Sequence, residues 1–92
     1  MLEIYESSAF KRDRKRESRN PKHKDIDLRI VETLQLLYVT GALPPRFRLH
    51  RLKGSYVGFL ECHIKPDLLM VFRLNNNVAF LYRLGSHSEL FK

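Results

Sequence analysis

Apolar positions change their period twice along this chain, and the changes divide it into elements. Leu2, Ile4 and Tyr5 interleave with Glu3 and Glu6, which predicts a short first strand. Ser7 and Ser8 offer an N-cap for a basic helix running from Ala9 to about Arg16 or Glu17, docked by a thin stripe around Phe10. Asn20-Pro21 interrupts that pattern. Ile26, Ile30, Leu34 and Leu37, flanked by Val31 and Tyr38, then make one apolar face of a second helix that begins at Asp25 or a neighbour. Gly41 accepts the left-handed C-terminal conformation and Pro44-Pro45 forbids continuation, so this helix stops near Thr40.

Beyond a loop carrying His50 the period becomes two. Leu60, Cys62 and Ile64 point one way, and Glu61, His63 and Lys65 the other. Pro66-Asp67 marks a turn, and Leu68 to Leu74 is a nearly continuous apolar run suited to a central strand. Asn75-Asn76-Asn77 tolerates positive φ in a hairpin, after which Val78 to Leu84 returns as its partner. The simple alternation puts Arg83 on the face of Ala79 and Leu81. Ser86-His87-Ser88-Glu89 has capping-box spacing and places His87 in the first turn of a short terminal helix. The expected class is α+β in a single domain over residues 1–92.

Composition narrows the function. The lone Cys62 excludes a disulfide framework and a Cys-rich zinc site, which suits a reducing cytoplasm. No segment approaches the length of a membrane span, and no secretory leader is visible. The net charge of +7 is uneven. Lys and Arg crowd the stretch from Phe10 to Lys24, and Arg46, Arg48, Arg51 and Lys53 form a second basic patch without an acid. Such runs are often only solvated faces, but a pI near 9.9 favours a polyanionic partner.

Metal-free RNA cleavage needs a base for the 2′-hydroxyl, an acid for the leaving 5′-oxygen, and cations for the charged transition state. His50, His63, Asp67 and His87 are candidate acids and bases, and Arg83 is a candidate phosphate ligand. Arg48, Arg51 and Lys53 are candidate substrate contacts beside His50, with Glu61 on the strand face of His63 and Phe91 as a stacking platform. Each also has a structural reading: a surface histidine, an Arg83 ion pair with Glu61 or Glu89, a turn aspartate, a core Phe91. The histidine spacings match no compact zinc motif, and strand phase groups Cys62 with buried neighbours rather than nucleophiles.

The motifs H-x-L-x-G from His50, E-C-H-x-x-P-D from Glu61, R-x-G-x-H from Arg83, and the terminal Leu90-Phe91 resemble the YafQ-like branch of the RelE/ParE superfamily of bacterial toxins. The likeness covers nearly the whole chain. It implies a RelE-like microbial RNase fold, β-α-α-β-β-β, with two N-terminal helices packed on an antiparallel sheet and a short C-terminal helical turn. It further implies a metal- and cofactor-independent endoribonuclease that cuts mRNA on the ribosome. Such a toxin is expected to be monomeric alone and hetero-oligomeric with a neutralising, acidic antitoxin. By the resemblance His50, His63, Asp67 and His87 are acid and base residues, with His87 the general acid. Arg83 binds phosphate, Glu61 is an acidic site residue, and Phe91 is the aromatic near the base. Leu49, Leu60 and Tyr56 depart from the usual acid, arginine and tryptophan of the branch. The alternative is a weakly active or non-catalytic binding protein acting through its antitoxin complex or a target such as gyrase.

Overall fold

The computed structural model describes residues 1–91. Five strands form one sheet in the order β1-β5-β4-β3-β2. They are β1 (Glu3–Glu6), β2 (His50–Arg51), β3 (Leu60–Lys65), β4 (Leu68–Asn75) and β5 (Val78–Gly85). The expected hairpins are present: β3, β4 and β5 run antiparallel, β3 and β4 joined through Pro66-Asp67 and β4 and β5 through Asn76, whose φ is +55°. Two features add to the sequence pattern. The two-residue strand β2 extends the antiparallel part, lifting His50 from a loop onto the sheet. At the other edge β1 pairs with β5 in parallel, Glu3 to Glu6 against Val78 to Leu81. Alternation carries no information on strand direction, so only the tertiary path decides that pairing.

Helices α1 (Ser8–Ser18) and α2 (Ile26–Thr40) cover one face of the sheet. The Ser7 hydroxyl caps α1 by accepting from the Phe10 N–H, and Gly41 closes α2 at φ +76°. Phe10, Ile26, Ile30, Leu34 and Leu37 meet Cys62, Ile64, Met70, Phe72, Ala79, Leu81 and Leu84 in the main core. β4 is buried on both sides, since Leu69 and Val71 enter a second cluster with Leu90 on the opposite face. The α2 residues Val31 and Tyr38 turn away from the core: with Leu28 and Val39 they leave an exposed apolar stripe on the outer side of the helix.

A β-bulge changes the phase of β5. Phe72 pairs with Leu81 but Val71 pairs with Arg83, so Tyr82 is the extra residue. Beyond it, Leu84 joins Ala79 and Leu81 in the main core, and Arg83 leaves the face that simple alternation assigns to it. Past the end of β1, the free edge of β5 is covered by α1 instead of a strand. The Ser7 hydroxyl donates to the Tyr82 carbonyl (2.7 Å), and Arg16 donates to the Leu84 carbonyl (3.0 Å). The buried Asp13 carboxylate accepts the Leu84 N–H (3.0 Å), two N–H groups of Arg83 (2.7 and 3.3 Å) and one of Arg16 (3.1 Å). Asp13 follows Phe10 by one helical turn and so shares its inward face.

Replacing Asp13 by alanine orphans the Leu84 amide and frees both guanidinium groups. The expected loss is at least about 2 kcal/mol of unfolding free energy, tempered because both arginines are partly in water; urea unfolding measures it. Burial pushes the Cys62 thiol up from 9.0 to about 12. A group protonated more tightly in the folded state adds stability below its unfolded pKa and loses that contribution as pH rises through the folded one. Stability is therefore expected to decline from 9.0 toward about 12, and native Cys62 to resist iodoacetamide that labels the urea-unfolded chain.

Candidate active site

The face of the sheet opposite the helices carries the candidate chemistry in rows set by strand register. One row runs His50, Glu61, Val71 and Arg83 across β2, β3, β4 and β5. The next runs His63, Leu69 and Gly85. With strands about 4.8 Å apart, His63 and Gly85 lie about 10 Å from each other across β4. His87 follows Gly85 by two residues, in the first turn of α3 (His87–Leu90).

That placement of His87 is built locally. The Ser86 hydroxyl accepts the Glu89 N–H (3.2 Å), and the Glu89 carboxylate accepts the Ser86 N–H (2.8 Å), completing a capping box. The Ser86 amide holds the Glu89 carboxyl below its ordinary range despite some desolvation. Gly85 leaves room for this close approach: a Cβ there meets the ends of three side chains, the Arg16 guanidinium at 3.0 Å, the Glu89 carboxylate at 3.1 Å and Leu90 at 3.3 Å. His87 is exposed and its ring lies 5.3 Å from that of Phe91 at 45°. Phe91 meets Tyr56 edge-on at 5.6 Å, Tyr56 lies 6.2 Å from Tyr82, and Tyr82 lies 4.9 Å from Phe59. Phe91 is half-buried against the second cluster, so its packing and its exposure coexist.

The histidines differ in what their ring nitrogens touch. His63 Nδ1 faces the Pro66 carbonyl at 3.3 Å; a carbonyl only accepts, so Nδ1 carries the hydrogen and a neutral ring leaves Nε2 as an acceptor. His50 has oxygens on both sides, the Arg48 carbonyl at 2.7 Å from Nδ1 and the Glu61 carboxylate at 3.3 Å from Nε2. The ring is thereby fixed from both nitrogens, with the carbonyl accepting from Nδ1. Glu61 is 5% exposed, and His50 is its only ion-pair partner among the described residues. His87 has no side-chain hydrogen bond among the described residues.

Arg83 pairs with neither Glu61 nor Glu89. It is held by Asp13, whose hydrogen bonds keep the guanidinium more firmly protonated than an ordinary arginine, and three of its five N–H donors remain. Asp67 is exposed in the β3–β4 turn, next to the Pro66 carbonyl that His63 touches, and lines a recess with Arg16, Glu17, Asn20, His23, Ser86 and Glu89. It makes no hydrogen bond or ion pair with a histidine among the described residues. Arg48, Arg51 and Lys53 are exposed around His50, Arg48 in the left-handed region at φ +47°.

Several contributors escape the sequence pattern. Asp13 is hidden among the charges of α1, its one signal being the three-residue spacing from Phe10. His23 is 3% exposed in the recess beside Asp67, with Nε2 3.8 Å from Glu17 and an unpartnered Nδ1. Tyr56, Tyr82 and Phe59 form the aromatic floor, and Arg73 stacks on its far end. Among the described residues no three His, Cys, Asp or Glu side chains gather as metal ligands.

A family model described as the bacterial toxin of type II toxin-antitoxin system, YafQ, matches residues 2–92. The mRNA interferase toxin YafQ of Escherichia coli strain B / BL21-DE3 is 31% identical over 90 residues, 97% of this chain and 95% of the relative. A metal-bound toxin from Helicobacter pylori superposes with a TM-score of 0.81 at 40% identity, covering 99% of this chain and all of that one. YafQ in the E. coli DinJ-YafQ complex superposes with a TM-score of 0.79 at 28% identity over the whole of both chains. The family match spans the rows of the sheet and the helices that brace them, and the chain belongs to the YafQ family of type II toxin-antitoxin toxins.

Proposed function

We propose that this toxin is a metal-independent endoribonuclease that cuts mRNA, on the ribosome, by acid-base chemistry on the open face of the sheet. The observation that carries this is the convergence, in adjacent rows of one face, of a histidine with a free acceptor nitrogen, His63, a histidine free at a helix start, His87, and the anchored Arg83. The E. coli relatives named mRNA interferase agree with it.

In this mechanism the substrate phosphate sits over Leu69 and Val71, between β3 and the start of α3. His63 Nε2 takes the proton of the 2′-hydroxyl, and the 2′-oxygen attacks the adjacent phosphorus. The phosphorus–5′-oxygen bond breaks as His87 donates a proton to that oxygen. The products are a 2′,3′-cyclic phosphate and a 5′-hydroxyl. Arg83 meets the developing charge with its remaining N–H groups, oriented in advance by Asp13. His50, while held between Glu61 and the Arg48 carbonyl, has both ring nitrogens engaged and serves to position the substrate rather than as the base. Asp67 acts from the turn through the Pro66 carbonyl that orients His63, which makes it a positioning residue. Phe91 holds a base beside His87, and Arg48, Arg51 and Lys53 receive flanking phosphates. An acidic antitoxin, bound to the basic surface of a cytoplasmic monomer, neutralises the toxin by occupying this path; E. coli YafQ has been crystallised with DinJ.

Purified toxin, stripped of bound metal with EDTA and desalted before it is added to programmed ribosomes, is expected to cut mRNA, with a 2′,3′-cyclic end mapped by primer extension and end-group analysis. His87→Ala and His63→Ala are each expected to slow cleavage by about 100-fold or more. Undiminished cleavage by His87→Ala rejects the assignment, and mRNA left intact by the parent chain during growth arrest identifies a toxin that acts by binding.

A further inference from the structure

Past the row of Arg83, the same face carries a cation that the proposed mechanism does not use. β4 is regular and places Leu69, Val71 and Arg73 on that face, so Arg73 stands two residues, about 7 Å, beyond Val71. Its guanidinium lies 4.8 Å from the centre of the Phe59 ring and 5.4 Å from that of Phe80, its cross-strand neighbour. Arg73 is exposed and makes no ion pair or side-chain hydrogen bond among the described residues. The contrast with Arg83, tied to a buried carboxylate, is chemical: Arg73 is positioned by ring faces alone, which leave the N–H edge unspent. Arg51 lines the same open recess with Leu52, Phe59 and Leu60, also without an ion pair among the described residues. The aromatic contacts from Phe91 through Tyr56, Tyr82 and Phe59 make a continuous floor between His87 and Arg73.

From this arrangement we infer that Arg73, clamped between Phe59 and Phe80, is a second RNA-phosphate subsite that receives a backbone phosphate near the scissile one. This rests on the face being the RNA site, and it adds a residue that fixes the direction and register of the strand. An arginine held flat offers paired N–H groups to a phosphate with little rotamer entropy left to lose; a lysine cannot take that geometry. A conserved charge is therefore not enough to replace it at this position.

The test is binding of an RNA oligomer whose 2′-hydroxyl at the cleavage position is replaced by hydrogen, so that no reaction occurs, with one phosphate at a time neutralised as a methylphosphonate. Measured by anisotropy at low salt, Arg73→Ala is expected to weaken binding about tenfold and to lower the salt dependence by about 0.7 in log–log slope. Neutralising one particular phosphate is expected to cost the parent chain the same factor and Arg73→Ala less than twofold. Arg73→Lys should regain the salt dependence but not the affinity. Equal binding by parent and Arg73→Ala, absence of binding by the parent, or equal losses at every phosphate in both proteins overturns the subsite. Cleavage on programmed ribosomes, assayed separately, reports on the nuclease: coupling without cleavage keeps the subsite and rejects the nuclease, and cleavage without coupling does the reverse.

Discussion

The Asp13 carboxylate stands where three requirements meet. The strand β5 needs a partner for its edge after β1 ends, the helix α1 needs an anchor beyond Phe10, and the sheet needs a charge to hold Arg83. One buried carboxylate meets all three because it has lone pairs enough for a backbone amide and two guanidinium groups at once. Neutral side chains of similar size offer fewer acceptors and no charge for either arginine. The fold therefore ties its helical layer to the open face by a polar contact passing around the sheet edge, while packing, with the Arg14–Glu6 and Lys65–Asp25 ion pairs, holds the helices to the other face. Structure and chemistry share this link: what closes the edge also aims the arginine.

The bulge at Tyr82 makes that sharing geometrically possible. Without the extra residue, continued alternation from Ala79 and Leu81 brings Arg83 onto the helix-covered face. With it, Leu84 fills the core, and Arg83 reaches both Asp13 at the edge and the row of Glu61 and Val71. Tyr82 in turn lies between Tyr56 and Phe59 as part of the aromatic floor, so the residue that disrupts the ladder is also used by the face it creates.

Much of this was legible in the sequence, and the gaps have physical causes. The strand period placed Glu61 and His63 opposite Cys62 and Ile64, and the capping-box spacing placed His87, because those signals are local and each is carried by a few adjacent residues. The continuous apolar run marked β4 as central for the same reason. The sequence pattern locates Arg83 but assigns it the opposite face from the one it occupies, since Tyr82 continues the alternation in composition while breaking it in space. β2 was invisible because two residues have no period, and the parallel entry of β1 because alternation is the same in either direction. Asp13 and Arg73 depend on partners distant in sequence, β5 for one and Phe59 for the other, which no window of the chain displays.

The shortness of β2 has a consequence for how the site is held together. Its two residues form the outer edge of the sheet, paired on one side only, and they carry His50. Edge segments with so few ladder bonds open far below the free energy of global unfolding, whereas the strands that carry His63 and Arg83 open only with the core. The face is thus assembled from parts of unequal permanence. Local fraying releases His50 from Glu61 and carries its basic neighbours with it, while the rest of the face stays folded, so this basic arm is reversibly detachable from an otherwise rigid bed.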